Sequence, residues 1–307
     1  MNPIDTNPLY FTVIEDGQLT ALIPLMEINS LLTGRRGVSL PFTDECRPVA
    51  QDSEQFEEML QYVVEYGQKA GWKHLELRGG HQGLDRAPIH TTHYRHTIEL
   101  EREDAEIFSN FRSSTKRNIQ RAQKENVKVD VSYTLESVKE FYRLNCITRK
   151  HHGLPPQPLS FFLKIFNHII SRKKGFVVVA YCHTRAVTAA VYSHFGSEAV
   201  YKYGASDRNY QHLRPNNLVM WQAIKWCCRN GFKRFSFGRT EPENQGLLQF
   251  KRGWGTKEDK INYYKYDLKS GCFVTKASGP KTSYHFFRHM PSPLLRLTGN
   301  LLYRHVG

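Results

Sequence analysis

The amino-acid sequence predicts an α/β protein built on a mixed sheet, and three observations predict it. Residues 200–237 read strand, helix, strand, a unit that calls for a parallel pair joined by a right-handed crossover. Before them, 176–182, 186–195 and 199–203 are strands separated by short turns, an antiparallel meander. Elsewhere apolar residues recur at helical spacing, as in Phe56, Leu60 and Val63, or Val138, Tyr142 and Cys146.

The crossover is the most clearly written part. Gly204 ends the strand over 200–203. Arg214-Pro215-Asn216 starts a helix, because the N–H that proline lacks would have no partner in a first turn. Met220, Ile224 and Cys227 line one face of that helix, and Asn230-Gly231 closes it. Residues 234–237 form a short aromatic strand stopped by Gly238. Ligands of such sheets sit where the strands' carboxyl ends open, which here means residues 204–207 and Gly238-Arg239.

From the start of the chain, residues 9–28 form two strands around Glu15-Asp16-Gly17, a hairpin signal. Pro24 assigns the second of them to an edge. Gly34-Arg35-Arg36-Gly37 reads as a turn and 38–42 as a strand. A helix opens at Asp52 with acids in its first turn and runs to Ala70. Strands follow over 72–78 and 91–100, with loop over 81–87. A helix from Asp104 is split by the polar run 112–117, with a cap at Ser113 or Ser114. Next come a strand over 127–133 and helices over 135–149 and 159–171. His151-His152 falls in a loop between those helices. A metal or acid/base role is the alternative for it, but no carboxylate or cysteine stands at metal-ligand spacing, and an ordinary loop pair is the favoured reading. Residues 260–268 are a last, tyrosine-rich strand. A loop over 276–283 leads to two short amphipathic segments divided by Pro291 and Pro293, with Arg288, Arg296 and Arg304 among leucines that continue to Val306. Docking of this tail on the domain is the favoured reading; lying on an anionic membrane is the alternative.

With 307 residues the chain makes one large domain or two modest ones, and 40% apolar with 12% aromatic residues suffice for a core. Its net charge of +14 points to an anionic partner as readily as to a merely basic protein. The six cysteines form no C-x-x-C pair, so reduced thiols in a cytoplasmic protein are expected, with no metal site. No signal peptide opens the chain and no apolar run is long enough to span a bilayer. There is no phosphate-binding G-x-x-x-x-G-K, no G-x-G-x-x-G, no H-E-x-x-H and no G-x-S-x-G. Nucleotide hydrolysis, dinucleotide redox chemistry, zinc hydrolysis and serine hydrolysis are thereby disfavoured. No DNA-binding signature is present either.

The order of elements resembles the acyltransferase fold of the GNAT superfamily. Within it, residues 111–122, Tyr203-Gly204-Ala205, Leu213-Arg214-Pro215-Asn216, Phe237-Gly238-Arg239 and Phe250-Lys251-Arg252-Gly253-Trp254-Gly255 resemble FemAB-type acyltransferases. Residues 16–25 and 39–42 resemble that family's N-terminal half. The resemblance covers the chain to about Leu268 and implies two GNAT-like halves. On it, 1–103 are a partial N-terminal half, 104–270 the catalytic half and 271–307 a basic amphipathic tail.

The resemblance further implies transfer of an acyl or aminoacyl group to an amine on a peptidoglycan precursor or another envelope or exopolysaccharide intermediate, lipid- or nucleotide-linked. The co-substrate is acyl-CoA or aminoacyl-tRNA, with no permanently bound cofactor. A non-catalytic scaffold that kept the fold is the alternative from another class. Two features depart from the pattern: no glycine lies between Gly204 and Gly231, where a pyrophosphate loop is expected, and the opening helices of the first half are missing. By this resemblance Lys251 stabilises the developing oxyanion and the Phe250 carbonyl accepts a proton from the amine. Arg239 and Arg214 are candidates for phosphate contact, and Lys116, Arg117 and Arg121 for longer-range capture. Tyr201, Tyr203 and Gly204 are candidates for the acyl slot, against plain strand packing for the two tyrosines. Asp207, Glu243 and His194 stand as general-base candidates, none assigned. The expected location is cytoplasmic, with peripheral contact at the inner membrane face.

Overall fold

The structure, a computed structural model, describes residues 6–276 and 286–305. The expected loop over 276–283 therefore lies outside the described residues except for Lys276, and so does Val306. In chain order the strands and helices begin β1 (Thr6–Glu15), β2 (Gln18–Ser30), β3 (Gly34–Val38), α1 (Ser53–Lys69), β4 (His74–Arg78) and β5 (Thr91–Glu99). There follow α2 (Asp104–Ser109), α3 (Ser113–Lys124), β6 (Lys128–Ser132), α4 (Leu135–His151) and α5 (Leu159–Ile165). Then come β7 (Gly175–Cys182), β8 (Arg185–Phe195), β9 (Glu198–Ser206), α6 (Pro215–Arg229) and β10 (Arg234–Thr240). The chain ends with α7 (Gln245–Arg252), β11 (Lys257–Asp267), β12 (Cys272–Phe273), α8 (Phe286–His289) and α9 (Ser292–Leu302). Two compact units divide it. One takes residues up to Tyr94 with 260–281 and those from Leu302 on; the other takes 95–259 and 282–301. The sequence reading drew this division at 103/104 and gave 260–268 to the second half. It falls differently because the C-terminal part of β11 pairs antiparallel with β4, from Tyr263–Arg78 to Asp267–His74.

In the first unit the strands run in the order β1-β2-β3-β4-β11. Asp16 and Gly17, both at positive φ, make the β1–β2 turn, the conformation that Asp-Gly favours in a two-residue hairpin. The edge belongs to β1, not to the Pro24 strand. Pro24 is tolerated inside because β3 begins pairing with β2 only at Met26. Residues 34–37 are strand rather than turn. Gly37 serves a different purpose from the expected one: a Cβ there would lie 2.2 Å from the Trp72 ring, so the missing side chain makes room for the indole. Trp72 then donates to Glu27 at 2.7 Å. Asp52 caps α1 by accepting from the Gln55 N–H, and Phe56, Met59 and Val63 bury themselves against Ile23, Leu75 and Leu77.

The second unit orders its strands β5-β10-β9-β8-β7-β6, with β10 parallel to β9 and the meander β7-β8-β9 antiparallel. Its core has two layers. Phe176, Val178 and Tyr192 face α3 and α6, while Val177, Val179 and Val191 face α4 and α5. β7 is thus buried on both sides, as its unbroken apolar run predicts. The polar run 112–117 does separate α2 from α3, but the cap position falls to Arg112, which makes no side-chain cap bond. α5 passes into a π-helical turn over Phe166–Ile170. β10 does not stop at Gly238; it passes through that residue at φ +69° and reaches Thr240. In the tail α8 and α9 form the two expected amphipathic segments. One face of α9 docks on this unit: Leu295 is buried, and the Arg296 guanidinium stacks 5.7 Å from the Tyr142 ring. No helix among the described residues is long and apolar enough to cross a membrane.

Candidate active site

The site begins with one extra residue. β8 and β9 pair Val191 with Tyr203 and Tyr192 with Tyr201, so the register steps over Lys202. This is a β-bulge, which bends the strand and interrupts its alternation. Tyr201 therefore points to the α6 side, 5.6 Å from the ring of Tyr192. Tyr203 points to the other side and packs edge-on against Phe161 and Phe162. Of the two tyrosines expected in one slot, Tyr201 lines the cavity beside the bulge and Tyr203 does not. Past the bulge β10 leaves β9 as well: their register runs from Arg234–Glu198 to Ser236–Val200 and goes no further.

A cavity of roughly 310 Å³ opens beside this stretch of β9. Its floor is Thr188 and Ala190 of β8 with Tyr201, Gly204 and Ser206 of β9. Asn216, Val219 and Met220 of α6 form one wall; Leu247 and Phe250 of α7 form another. His152 and Thr148, from the end of α4, and Gln211 complete the rim. Gly204 is required here, because a Cβ would meet the Tyr201 hydroxyl at 1.8 Å. Burial pushes that hydroxyl up to about 12, so it stays protonated and able to donate. Thr188 donates to Asn216 Oδ1 at 3.1 Å, tying the floor to the first turn of α6. Thr148 joins α4 to β9 by two bonds, donating to the Ser206 carbonyl at 3.0 Å and accepting from its N–H at 2.9 Å.

Lys251 is placed behind this wall. Only 2% exposed, it donates from Nζ to the carbonyl oxygens of Gly238 at 2.8 Å and Arg239 at 3.1 Å. Its neighbour Phe250 lines the cavity and Lys251 does not. Helix α7, which sequence reasoning did not mark, is what turns these adjacent residues apart. Asn244 starts it, accepting from the Leu247 N–H. The Gly253-Trp254-Gly255 end of the same motif meets the 111–122 motif. Arg112 N–H donates to the Gly253 carbonyl at 2.9 Å, and Trp254 packs edge-on to Phe111 at 5.0 Å.

The other expected residues scatter. Arg214, exposed, holds a left-handed conformation (φ 58°) just before α6 and outside the cavity lining. Arg239 follows the kink at Gly238. Lys116 donates to the Ser109 carbonyl at 2.6 Å, while Arg117 and Arg121 lie exposed on α3; none of the three lines the cavity. Asp207 caps the turn before α6 and receives Arg185 at 3.3 Å. His194 packs against Phe232, and Glu243 is exposed. Sequence reasoning weighed His152 only as half of a histidine pair and favoured an ordinary loop for it. The helix α4 runs two residues past the expected end, to His151, and its C-cap residue His152 then stands at the cavity rim. Burial, followed by the charges of His151 and nearby arginines, holds the His152 imidazole below the usual histidine range. Near neutral pH it is uncharged and able to accept a proton. The adjacent histidines were the available signal; the chain length of α4 was not.

Comparison with known proteins adds the following. Residues 109–252 match the family model described as an acetyltransferase (GNAT) domain. The Lipid II:glycine glycyltransferase of Staphylococcus haemolyticus (strain JCSC1435) is 34% identical over 85 residues, which are 25% of this chain and 20% of that protein. The match thus spans about a fifth of that relative's length. Among solved structures, FemX superposes with a TM-score of 0.64 at 14% identity, covering 84% of this chain and 88% of the other. A tandem GNAT protein from the clavulanic acid biosynthesis pathway gives 0.55 at 9% identity, covering 90% and 85%. These two likenesses are of fold.

Proposed function

We propose that this chain, a FemAB-type member of the GNAT superfamily whose acetyltransferase domain occupies residues 109–252, moves an acyl or aminoacyl group from a thioester or ester to an amine of a cell-envelope precursor. The observation that carries the reading is the cavity at the bulge. Beyond Val200 the register with β10 has ended, so β9 offers backbone N–H groups to a carbonyl oxygen in the manner of an oxyanion hole. The acceptor amine attacks that carbonyl. A C–N bond forms, His152 receives the amine's proton, and the C–S or C–O bond breaks. The proton then passes to the departing sulfur or oxygen. Tyr201 and Phe250 border the acyl group. Arg214 and the N-terminus of α6 suit a donor phosphate. In this reading Lys251 is a positioning residue: it pins the end of β10 to α7 and so fixes Phe250.

The net charge of +14 and the similarity to a glycyltransferase favour aminoacyl-tRNA as donor. The same similarity favours a lipid-linked acceptor. Thermal-shift measurements with CoA, acyl-CoAs, aminoacyl-tRNA and UDP-sugars test the donor and acceptor classes. Stabilisation by aminoacyl-tRNA that falls steeply with salt is expected; stabilisation by acyl-CoA alone transfers the assignment to that donor. With the donor known, His152→Gln is expected to lower kcat by about 10²–10⁴ and to remove the acid limb of the pH profile. In the wild-type chain that limb falls below the ordinary histidine value. An unchanged profile in the variant would remove His152 from the mechanism, and no stabilisation by any of the ligands would remove the transferase reading.

A further inference from the structure

The tail of the chain is one-sided in two respects. After Asp267 there is no Asp or Glu, while Lys269, Lys276, Lys281, Arg288, Arg296 and Arg304 supply positive charge. In α9 the leucines divide by face. Leu295 (2% exposed) turns inward, and Gly299, one turn on, fits so tightly that a Cβ would lie 2.1 Å from the Pro156 carbonyl oxygen. Leu294, Leu297 and Leu301, spaced i, i+3, i+7, are 53%, 55% and 51% exposed, and Phe286 of α8 is 74% exposed. A helix already fixed to its domain by one face does not need three large apolar residues on the other. Such a stripe marks an interaction surface, and an apolar stripe on a segment whose only charged residues from 286 to 302 are Arg288 and Arg296 matches an anionic bilayer.

From this we infer that residues 286–302 form an interfacial membrane-docking element, with Leu294, Leu297, Leu301 and Phe286 entering an anionic lipid surface while Leu295 and Gly299 hold the element on the second unit. The element also lies near the end of α4 that reaches the cavity rim. α8 packs on α4, and Arg288 is close enough to His152 at the cavity rim for its charge to act on that imidazole. A lipid-linked amine would thus meet the cavity from the surface on which the protein rests. That last consequence depends on the proposed function, whereas the docking itself does not.

The test is flotation of the full chain with vesicles of phosphatidylcholine alone and of phosphatidylcholine with phosphatidylglycerol, at low and high salt. Binding to the anionic vesicles that weakens with salt is expected. The triple variant Leu294→Ser, Leu297→Ser, Leu301→Ser is expected to lose about tenfold or more of that binding, with an unchanged melting temperature because the three side chains are exposed. Three results would overturn the inference: no flotation with either vesicle, equal flotation with phosphatidylcholine alone, or undiminished binding by the triple variant. A variant that floats normally but no longer self-associates would assign the stripe to a second copy of the chain. Flotation uses neither donor nor acceptor, and the thermal-shift measurements contain no vesicles, so either result stands without the other.

Discussion

In the first unit a single helix, α1, packs its apolar stripe on the sheet, and Tyr10, Ile14 and Leu19 remain more than half exposed. In the second, helices cover both faces, and Val177, Val178 and Val179 are all fully buried. The depression beside Tyr62 and Tyr66 of the first unit lies open at the surface. The cavity of the second is set into the packing and bounded by five elements of secondary structure. Layering on both faces thus gives the second unit what the first lacks: neighbours on every side of a strand defect, so that one inserted residue stands beside a cavity instead of a surface irregularity.

The largest expected effects break this comparison if they fail. Trp254→Ala should destabilise the second unit by about 3–5 kcal/mol, and Phe56→Ala the first by a similar amount. Calorimetry is expected to show each variant moving its own transition; one shared transition moved equally by both would deny the units separate cores. Lys251→Ala should cost about 2–4 kcal/mol, since it leaves the buried Gly238 carbonyl and the half-buried Arg239 carbonyl short of a donor and opens a void. Lys251→Met, which restores volume, should recover part of that loss in melting temperature. If both variants keep wild-type stability, the pinning of β10 to α7 is not what holds the wall.

A smaller effect sharpens the contrast by pH. Burial, and then Lys265, lowers His74 of the first unit from its ordinary 6.5 to about 4. Between those values the unfolded chain takes up a proton that the folded chain refuses. Stability is therefore lost as pH falls from about 6.5 to about 4, and the term is absent above that range. The gap caps the loss at about 3 kcal/mol, and partial exposure brings it nearer 1–2 kcal/mol. Denaturant titrations of His74→Asn should show a flatter acid limb than wild type. Smallest of all, Arg117→Ala and Arg121→Ala on α3 should change stability by less than about 0.5 kcal/mol. If these residues capture a polyanionic donor, each replacement should also reduce the salt slope of donor binding by about one.

Local chemistry made much of the fold legible. Asp16-Gly17 announced a hairpin, Asp52 a helix start, Pro215 another, and the apolar run of β7 a strand buried on both faces. The errors share a cause, since each glycine or proline was read for its effect on the backbone alone. Gly37 serves a tryptophan ring instead of a turn, Gly238 kinks a strand it was expected to end, and Pro24 sits where the neighbouring strand has not yet begun to pair. The site was harder to read because its residues meet only through long-range register. Nothing local says that Tyr201 and Tyr203 part company, that α4 extends far enough to deliver His152, or that adjacent residues of α7 face a cavity and a buried strand end.

Lys202 can be considered as an insertion. Because it is inserted between Tyr201 and Tyr203 without disturbing the order of sides beyond it, removing its single codon would leave Gly204 and Ser206 facing as they do now. What would vanish is the bend. A deletion at this position would thus straighten the strand while sparing every side chain that borders the cavity.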